Sequence, residues 1–506
     1  MRDKIGKASE STATLITFLF VFFFSILPII VIAIRADIQS VYDAILGKYS
    51  WIFYGALKFS FVQAAISATL STVFGSFVAY SAIRSSKTIA RYLRTLSIVA
   101  FMLPSTVVAS SFYILYGIRN IPLGKGFWGI ISAHVFYNAP LAFLYSYSAL
   151  SGLKRETIEA LQIFGKSKWK IVFSVYLRLL LPALTSAWLL SFIYCFTSFA
   201  IPLTLGGPGY WTLEVYIYYL FRVLNNPSLG AFMALVQVGV LFVVIYSIRK
   251  FKTSFPSGEA TFRKNPMFLP IVVFYILYEV LPIINLAYRS FFDPISHEFT
   301  LKALSLIFSL NFKLALINTL YFALLSSVIS LILGIISSKS IVALKVASLP
   351  VSVSTVVLGL GLYILYSDVI PTWILIPIAH SIVALPLVSS SLYVGRTKIS
   401  KELREYAMLY GIKGPKYYFE VFIPLVIEAF GTALMFSVVI SLAEFGATYM
   451  LYQSEYETLS ILVYRLTTKR MLLEASFVSF IVVLISTLLS TIIARYTTRE
   501  AQEIGA

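Results

Sequence analysis

The sequence predicts an all-α integral membrane protein with twelve transmembrane helices, and three observations support this fold class. Of the 506 residues, 59% are hydrophobic and only 12% are charged, whereas about 25% of the residues in a soluble domain are charged. Twelve apolar runs reach the ~20 residues that a membrane-spanning helix needs. These runs also lack the alternation of polar and apolar residues that is typical of the strands of a membrane barrel.

The twelve runs divide evenly between the two halves of the chain. They cover residues 12–34, 57–83, 95–118, 128–152, 181–205 and 229–248, and then 267–288, 313–338, 346–366, 370–394, 425–452 and 472–494. If the N-terminus lies inside, the inside segments carry 28 of the 40 Lys and Arg residues. Because these residues collect on the cytoplasmic side of membrane proteins, both termini are predicted to be cytoplasmic. The net charge of +18 therefore requires no nucleic-acid partner.

An internal repeat relates the two halves. A separation of 246 residues links Ala133-His134 to Ala379-His380, Pro104 to Pro350, Glu159 to Glu405, Gly165 to Gly411 and Phe199 to Phe445. Gly75 pairs with Gly334 at a different separation. Six spans per copy is an even number, so the copies are predicted to be parallel repeats, residues 1–255 and 256–506, with a solute pathway at their interface.

Two polar stretches, at about residues 154–180 and 398–424, separate the fourth and fifth spans of each half on the predicted inside face. Each begins as a charged amphipathic helix and breaks at a glycine, Gly165 or Gly411. Glycine adopts the positive φ that such a turn requires. This pattern alone also fits an ordinary interfacial helix.

The spacing within these stretches resembles the EAA-x3-G-x9-I-x-LP loop of prokaryotic ABC importer permeases. The matching residues are Glu159, Ala160 and Gly165 in the first copy and Glu405, Ala407, Gly411 and Pro424 in the second. Leu161, Arg178 and Tyr406 depart from the pattern. The resemblance implies a type I ABC importer permease, in which each loop forms a coupling helix that docks on an ATP-binding subunit.

The segment after the second loop, SLAEFGATYML, resembles the fused permeases for ferric iron or thiamine and their sulfate and molybdate relatives. The resemblance makes thiamine or ferric iron the expected solute. Predicted pathway residues are Ser198, Phe199, Glu444, Phe445 and Thr448. An acidic residue at the centre of a span costs about 2.5–3.5 kcal/mol. Glu444 therefore either lines or gates the pathway, or forms a structural bond to a neighbouring helix.

Other polar residues inside the spans are expected to be structural. Glu279 precedes Pro282 by three residues and is predicted to help repair the hydrogen bonding that the proline disturbs. His134 and His380 are predicted to pack or to bond between helices rather than to bind metal. The sequence contains no metal-ligand spacing and no catalytic set of residues.

The sequence also lacks a G-x4-GK-[ST] phosphate-binding loop, so the chain is predicted not to be an enzyme. The resemblance implies that ATP and Mg²⁺ bind to two separate ATP-binding subunits. It further implies an external solute-binding protein and a location in a prokaryotic cell membrane. The alternative is a twelve-helix secondary transporter driven by an ion gradient, but the paired inside loops argue against it.

Overall fold

The computed structural model describes residues 2–152, 177–248, 265–293, 298–397 and 399–503. These residues form helices and short connections, and their only β-type pairing is an isolated bridge between Phe292 and Phe299. The helices are, in chain order, α1 (Arg2–Val21), α2 (Leu27–Arg35), α3 (Ile38–Ile45), α4 (Ser50–Ile83), α5 (Lys87–Phe101), α6 (Ser105–Phe112), α7 (Gly126–Ser151), α8 (Leu177–Phe196), α9 (Leu213–Arg222), α10 (Pro227–Ile248), α11 (Leu269–Arg289), α12 (Leu310–Ser337), α13 (Ile341–Ala347), α14 (Thr355–Tyr366), α15 (Thr372–Thr397), α16 (Lys401–Leu409), α17 (Ile423–Ala443), α18 (Gly446–Leu451), α19 (Leu459–Thr468) and α20 (Leu472–Glu503).

The predicted all-α membrane fold is confirmed. Within the described part of the chain, nine helical stretches are long and apolar enough to cross a membrane, and two bent helix pairs raise the total to eleven. The run predicted at 181–205 contains a shorter apolar helix, Leu180–Phe196. Each of the twelve predicted runs therefore contains apolar helix, while the count of twelve complete spans stays a prediction.

Two of the predicted spans are bent rather than straight. The helices before and after Met102–Pro104 meet at 99°, and the pair joined near Val353 meets at 95°. Pro104 lacks a backbone N–H, and a proline disfavours helical backbone in the residue before it. Ser354 then begins α14 by accepting a hydrogen bond from the Val357 N–H at 3.2 Å. The bends occur at equivalent points of the two repeats.

The described chain forms two compact units. The first contains Met1–Arg35, Leu310–Leu459 and Ile492–Ala501, and the second contains Ala36–Ser309, Ser460–Thr491 and Gln502–Ala506. The first helix of each sequence half thus belongs to the unit built mainly from the other half. The predicted boundary between the sequence repeats, near residue 255, does not coincide with the division into these units. It stays a prediction.

Each unit is built around the fourth span of a repeat. In the second unit α7 packs along α4 and α8, and in the first unit α15 packs along α12 and α17. The share of residues buried is 72% in the span of α7 and 78% in that of α15, against 50% or less in the other straight spans. These two helices also contain Pro140 and Pro386, which the repeat pairs.

One hydrogen bond recurs in both units, as two copies of one fold would require. The Leu213 N–H donates to the Ser60 hydroxyl at 2.8 Å, and the Leu459 N–H donates to the Thr319 hydroxyl at 2.9 Å. The two leucines are 246 residues apart, whereas Ser60 and Thr319 are 259 apart, as are Gly75 and Gly334. The early spans therefore follow the repeat at a shifted register.

Candidate functional site

The second predicted coupling loop is a short, well-defined helix with an exposed end. The Ser400 hydroxyl caps the start of α16 by accepting from the Leu403 N–H at 3.1 Å. The helix ends at Gly411, whose φ of 76° lies in the left-handed region. The Ile412 N–H donates to the Ala407 carbonyl and the Gly411 N–H to the Met408 carbonyl. Both bonds satisfy carbonyls at the end of the helix, in the arrangement that glycine favours there.

The tip of α16 is apolar and faces outward. Leu409 is 80% exposed and Tyr410 is 83% exposed, while Ala407 is buried and Glu405 is exposed. Pro424 lies near the start of α17, within the continuous helical stretch Pro415–Ala443. Large apolar side chains at the end of a polar helix are typical of a protein contact surface.

The first predicted coupling loop lies outside the described residues. Glu159, Ala160 and Gly165 all fall within residues 153–176, which the structure does not describe. Their role stays a prediction.

The predicted pathway residues lie at helix breaks that the two repeats share. Ser198 and Phe199 follow α8, and Glu444 and Phe445 follow α17 at the same repeat positions. Both phenylalanines are buried. The Phe199 ring lies 5.5 Å from Tyr218 and the Phe445 ring stacks on Tyr449 at 4.9 Å. The run predicted as one span at 425–452 is therefore two helices with a break at Glu444.

The Glu444 carboxylate holds the start of the short helix α18. One oxygen, Oε1, accepts from the Ala447 N–H at 2.9 Å. The other, Oε2, accepts from the Thr448 N–H at 3.0 Å and from its hydroxyl at 2.7 Å. These contacts satisfy donors that the first turn of a helix leaves free, and an acidic group is favourable at a helix N-terminus.

His380 on α15 completes this cluster. Its Nε2 lies 3.4 Å from Glu444 Oε2 and 2.7 Å from the Thr448 hydroxyl. Its Nδ1 lies 2.6 Å from the Ser441 hydroxyl. The geometry therefore gives Glu444 the structural bond between helices that was one of its two predicted roles, and it gives His380 the predicted helix-to-helix bonding. The described residues contain no group of three metal-binding side chains.

The equivalent site in the other unit has no acid. The counterparts of Ser441, Glu444 and Thr448 are Cys195, Ser198 and Pro202. His134, the counterpart of His380, has its Nδ1 3.4 Å from the Ser67 hydroxyl. Pro202 has no N–H, so the donor that Glu444 satisfies at Thr448 does not exist at this position. Because this donor is missing, the first repeat needs no acid at the position of Ser198.

Glu279 does not form the predicted structural bond. It is fully buried on α11, and neither carboxylate oxygen has a hydrogen-bond partner among the described residues. The nearby hydroxyls of Tyr275 and Tyr278 bond instead to Ser97, at 2.7 Å, and to the Ser132 carbonyl, at 2.6 Å. The prediction that Glu279 repairs the Pro282 break is not supported by the contacts found.

The sequence did not predict the pairing of His380 with Glu444. The residues are 64 positions apart and belong to different spans, α15 and the end of α17. Comparison of the two repeats gives one indication of this local structure. Glu444 and Thr448 can bond to each other, whereas their counterparts Ser198 and Pro202 cannot form the same bonds. That difference marks a position with a special local requirement.

Known proteins resemble part of the chain. Residues 71–251 match the family described as binding-protein-dependent transport system inner membrane component. The spermidine/putrescine transport system permease protein PotC of Escherichia coli (strain K12) is 29% identical over 206 residues, which are 40% of this chain and 77% of PotC. The thiamine transport system permease protein ThiP of Haemophilus influenzae is 31% identical over 221 residues, 40% of each chain. The match over residues 71–251, these two similarities and the apolar helices fit an inner-membrane permease of the ABC-importer type.

Proposed function

We propose that this chain forms the translocation pathway of an ATP-binding-cassette importer for a small organic cation, delivered by an external binding protein. The observation that supports the coupling role most directly is α16, a capped helix that ends on Gly411 and presents Leu409 and Tyr410 to a partner. A rigid protruding helix can pass a movement of the ATP-binding subunit to α15 and α17, the spans on either side of it.

The proposed assembly contains two ATP-binding subunits, one at each coupling loop, and the ATP and Mg²⁺ bind to those subunits. Both termini and both loops lie on the cytoplasmic side. The distribution of Lys and Arg in the sequence supports this orientation. The solute-binding protein approaches from the opposite face.

The proposed solute is thiamine, with a polyamine as the second candidate. The relatives are named for thiamine and for spermidine and putrescine, all of which carry positive charge. Neither of these names supports ferric iron, the other solute expected from the sequence. A positive solute is also compatible with a chain whose described spans hold the buried acids Glu279 and Glu444.

Substitutions in α16 test the coupling role in the transporter assembled with its ATP-binding subunits. Glu405→Lys, or Gly411→Val, is expected to separate ATP hydrolysis from uptake while the protein still inserts. A β-branched residue at φ 76° is strained by roughly 1–3 kcal/mol, which deforms the end of the helix.

Two matched variants serve as controls. Glu420→Lys makes the same charge change in the same loop, at an exposed residue 4.0 Å from Lys416. Gly411→Asn keeps a residue that tolerates positive φ. Both controls should retain coupled uptake. Normal coupled uptake in Glu405→Lys and Gly411→Val would remove α16 from the coupling role.

A further inference from the structure

Polar side chains from three helices meet inside the hydrophobic core of the second unit. Gln63 and Ser67 lie one turn apart on α4, His134 and Asn138 lie one turn apart on α7, and Cys195 lies near the end of α8. Each of these residues is at most 1% exposed. The helices α4, α7 and α8 pack on one another. The five residues are called the polar cluster below.

Hydrogen bonds hold the two amide groups of the polar cluster against Cys195. The Gln63 Nε2 group donates to the Cys195 carbonyl at 2.8 Å and to the Ser60 carbonyl at 3.2 Å. The Asn138 Nδ2 group donates to the His134 carbonyl at 3.0 Å and to the Cys195 Sγ at 3.3 Å. Because an amide NH2 group has two hydrogens, both amides use all their donors. The carbonyl acceptors also fix which end of each amide is the nitrogen.

The acceptor ends of these two amides lack partners within the described part of the chain. Gln63 Oε1 and Asn138 Oδ1 are buried and accept no hydrogen bond there, and His134 Nε2 is also buried without a partner. On the other side of the same ring, His134 Nδ1 lies 3.4 Å from the Ser67 hydroxyl. A buried polar atom that has lost water and gained no bond is costly. Two amide oxygens in one cluster therefore call for a hydrogen-bond donor.

The surroundings restrict that donor to a small and neutral molecule. Phe192 and Phe196 pack with Cys195 in the hydrophobic core, so the space beside the cluster is enclosed by apolar side chains. None of the five cluster residues is an acid, and a cation without a counter-charge is very costly in apolar surroundings. Water is small, neutral and a donor of two hydrogen bonds. Ordered water commonly satisfies buried polar groups that have no protein partner.

The corresponding place in the first unit does not contain these acceptors. Phe322 stands at the position of Gln63, and Ala384 stands at the position of Asn138. The Phe322 ring lies 6.3 Å from the His380 ring. The other contact is polar and direct, since His380 Nδ1 lies 2.6 Å from the Ser441 hydroxyl. The unpartnered amide oxygens are thus a property of the second unit and not of the fold that the two repeats share.

We propose that ordered water is bound inside the second unit, between α4, α7 and α8, where it donates hydrogen bonds to Gln63 Oε1 and Asn138 Oδ1. This water joins α4 to α7 beside the Cys195 thiol. In the first unit the equivalent helices meet through direct side-chain contacts instead.

X-ray radiolysis of the purified permease in lipid nanodiscs tests the proposal, because it produces hydroxyl radicals from bound water as well as from bulk water. Cys195 is the one cysteine of the sequence and is 0% exposed, so its oxidation reports water that is bound beside it. We expect this oxidation to persist when a scavenger removes radicals from the bulk solvent. Met450, a sulfur-containing side chain that is also 0% exposed, lies in the first unit and should stay unoxidised.

Variants locate the water at the two amides. Gln63→Met with Asn138→Leu keeps the side-chain volumes and removes both oxygens, and should lower Cys195 oxidation to the background level. Gln63→Phe with Asn138→Ala copies the residues of the first unit and should have the same effect. Ser110→Ala is the control, because it removes a buried hydroxyl of the same unit that is bonded outside the polar cluster. It should leave Cys195 oxidation unchanged. Melting temperatures close to that of the parent establish which variants fold.

Three results would overturn the proposal. A parent protein whose Cys195 stays unoxidised would have no water beside the thiol. Loss of the oxidation on adding the scavenger would show that radicals enter from the bulk solvent. Undiminished oxidation in both double variants would show that the amide oxygens do not hold the water. None of these results depends on the solute or on the coupling loops, so the water site and the transport function are tested separately.

Discussion

The cluster around Glu444 and its counterpart around Ser198 show how two copies of one fold can diverge in the polar groups they bury. Both units break a helix at the same repeat position. In one unit the next helix starts with Thr448, whose N–H and hydroxyl bond to the Glu444 carboxylate. In the other, Pro202 supplies no N–H at that position, and Ser198 stands where the acid would be.

This difference indicates that the local backbone determines whether a buried acid is needed. A helix start buried in a membrane bundle must have its N–H groups satisfied. A carboxylate is one solution, and a proline, which removes a donor, is another. A charged residue inside a span thus has a structural explanation before any role in the solute pathway is required.

The largest expected effect comes from Glu444→Ala. The substitution leaves the Ala447 and Thr448 N–H groups without their acceptor and removes the carboxylate beside the His380 imidazole. Each buried donor that is left without a partner costs about 1–3 kcal/mol. Ser198→Ala, in the other unit, should cost no more than about 1 kcal/mol. The free energy of unfolding in mixed detergent measures both.

A second variant separates the structural role of Glu444 from a pathway role. Glu444→Gln keeps an acceptor and the side-chain size, so we expect it to recover much of the lost stability. If the role is structural, uptake by the Gln variant tracks its stability. Full stability with abolished uptake would instead assign Glu444 to the solute pathway.

A smaller loss is expected from Gly446→Ala in α18. A Cβ at Gly446 would collide with the side chain of Thr355 on α14. Overpacking of this kind costs up to about 3 kcal/mol. The counterpart, Ala200, already carries a Cβ, and Ala200→Gly should cost only the ~1 kcal/mol that glycine costs in a helix. Equal losses on unfolding in the two units would show that α18 is not packed more tightly than its counterpart.

In the first helices of the two repeats, one substitution is expected to raise the free energy of unfolding rather than lower it. The sequences Leu27-Pro28-Ile29-Ile30 and Leu281-Pro282-Ile283-Ile284 align at a separation of 254, which places Ser25 opposite Glu279. Because the Glu279 carboxylate is buried without a partner among the described residues, Glu279→Met should raise the unfolding free energy by about 1–2 kcal/mol. Ser25→Ala should change it by less than about 1 kcal/mol. A loss of stability in Glu279→Met would mean that the carboxylate is satisfied by a group outside the described residues.

The smallest expected difference in stability is between substitutions in two equivalent serine pairs. The Ser330 and Ser437 hydroxyls are 2.7 Å apart, whereas their counterparts Ser71 and Ser191 have no hydrogen bonds among the described residues. Ser330→Ala should cost about 1 kcal/mol because Ser437 loses its partner. Ser71→Ala should change stability by no more than about 0.5 kcal/mol. Identical melting curves for the two variants would contradict the contrast.

Much of the fold could be predicted from the sequence. Long apolar runs mark the membrane spans, and a constant separation between matching residues marks the repeat. The separation of 246 residues located the equivalent helix breaks, and Pro104 and Pro350 marked the two bends without revealing their angles. The sequence does not show which helices and side chains pack together. No sequence spacing indicates that the His380 ring meets Glu444, or that α1 joins the unit built mainly from the second half.

The proposed function requires that separate ATP-binding subunits drive this permease. The most direct measurement is purification of the tagged chain from its native membrane, with the co-purifying chains identified and counted by mass. We expect an ATP-binding subunit at about two copies per permease, from the two coupling loops. A chain that purifies alone and moves solute in vesicles on an ion gradient would contradict the account and identify a secondary transporter.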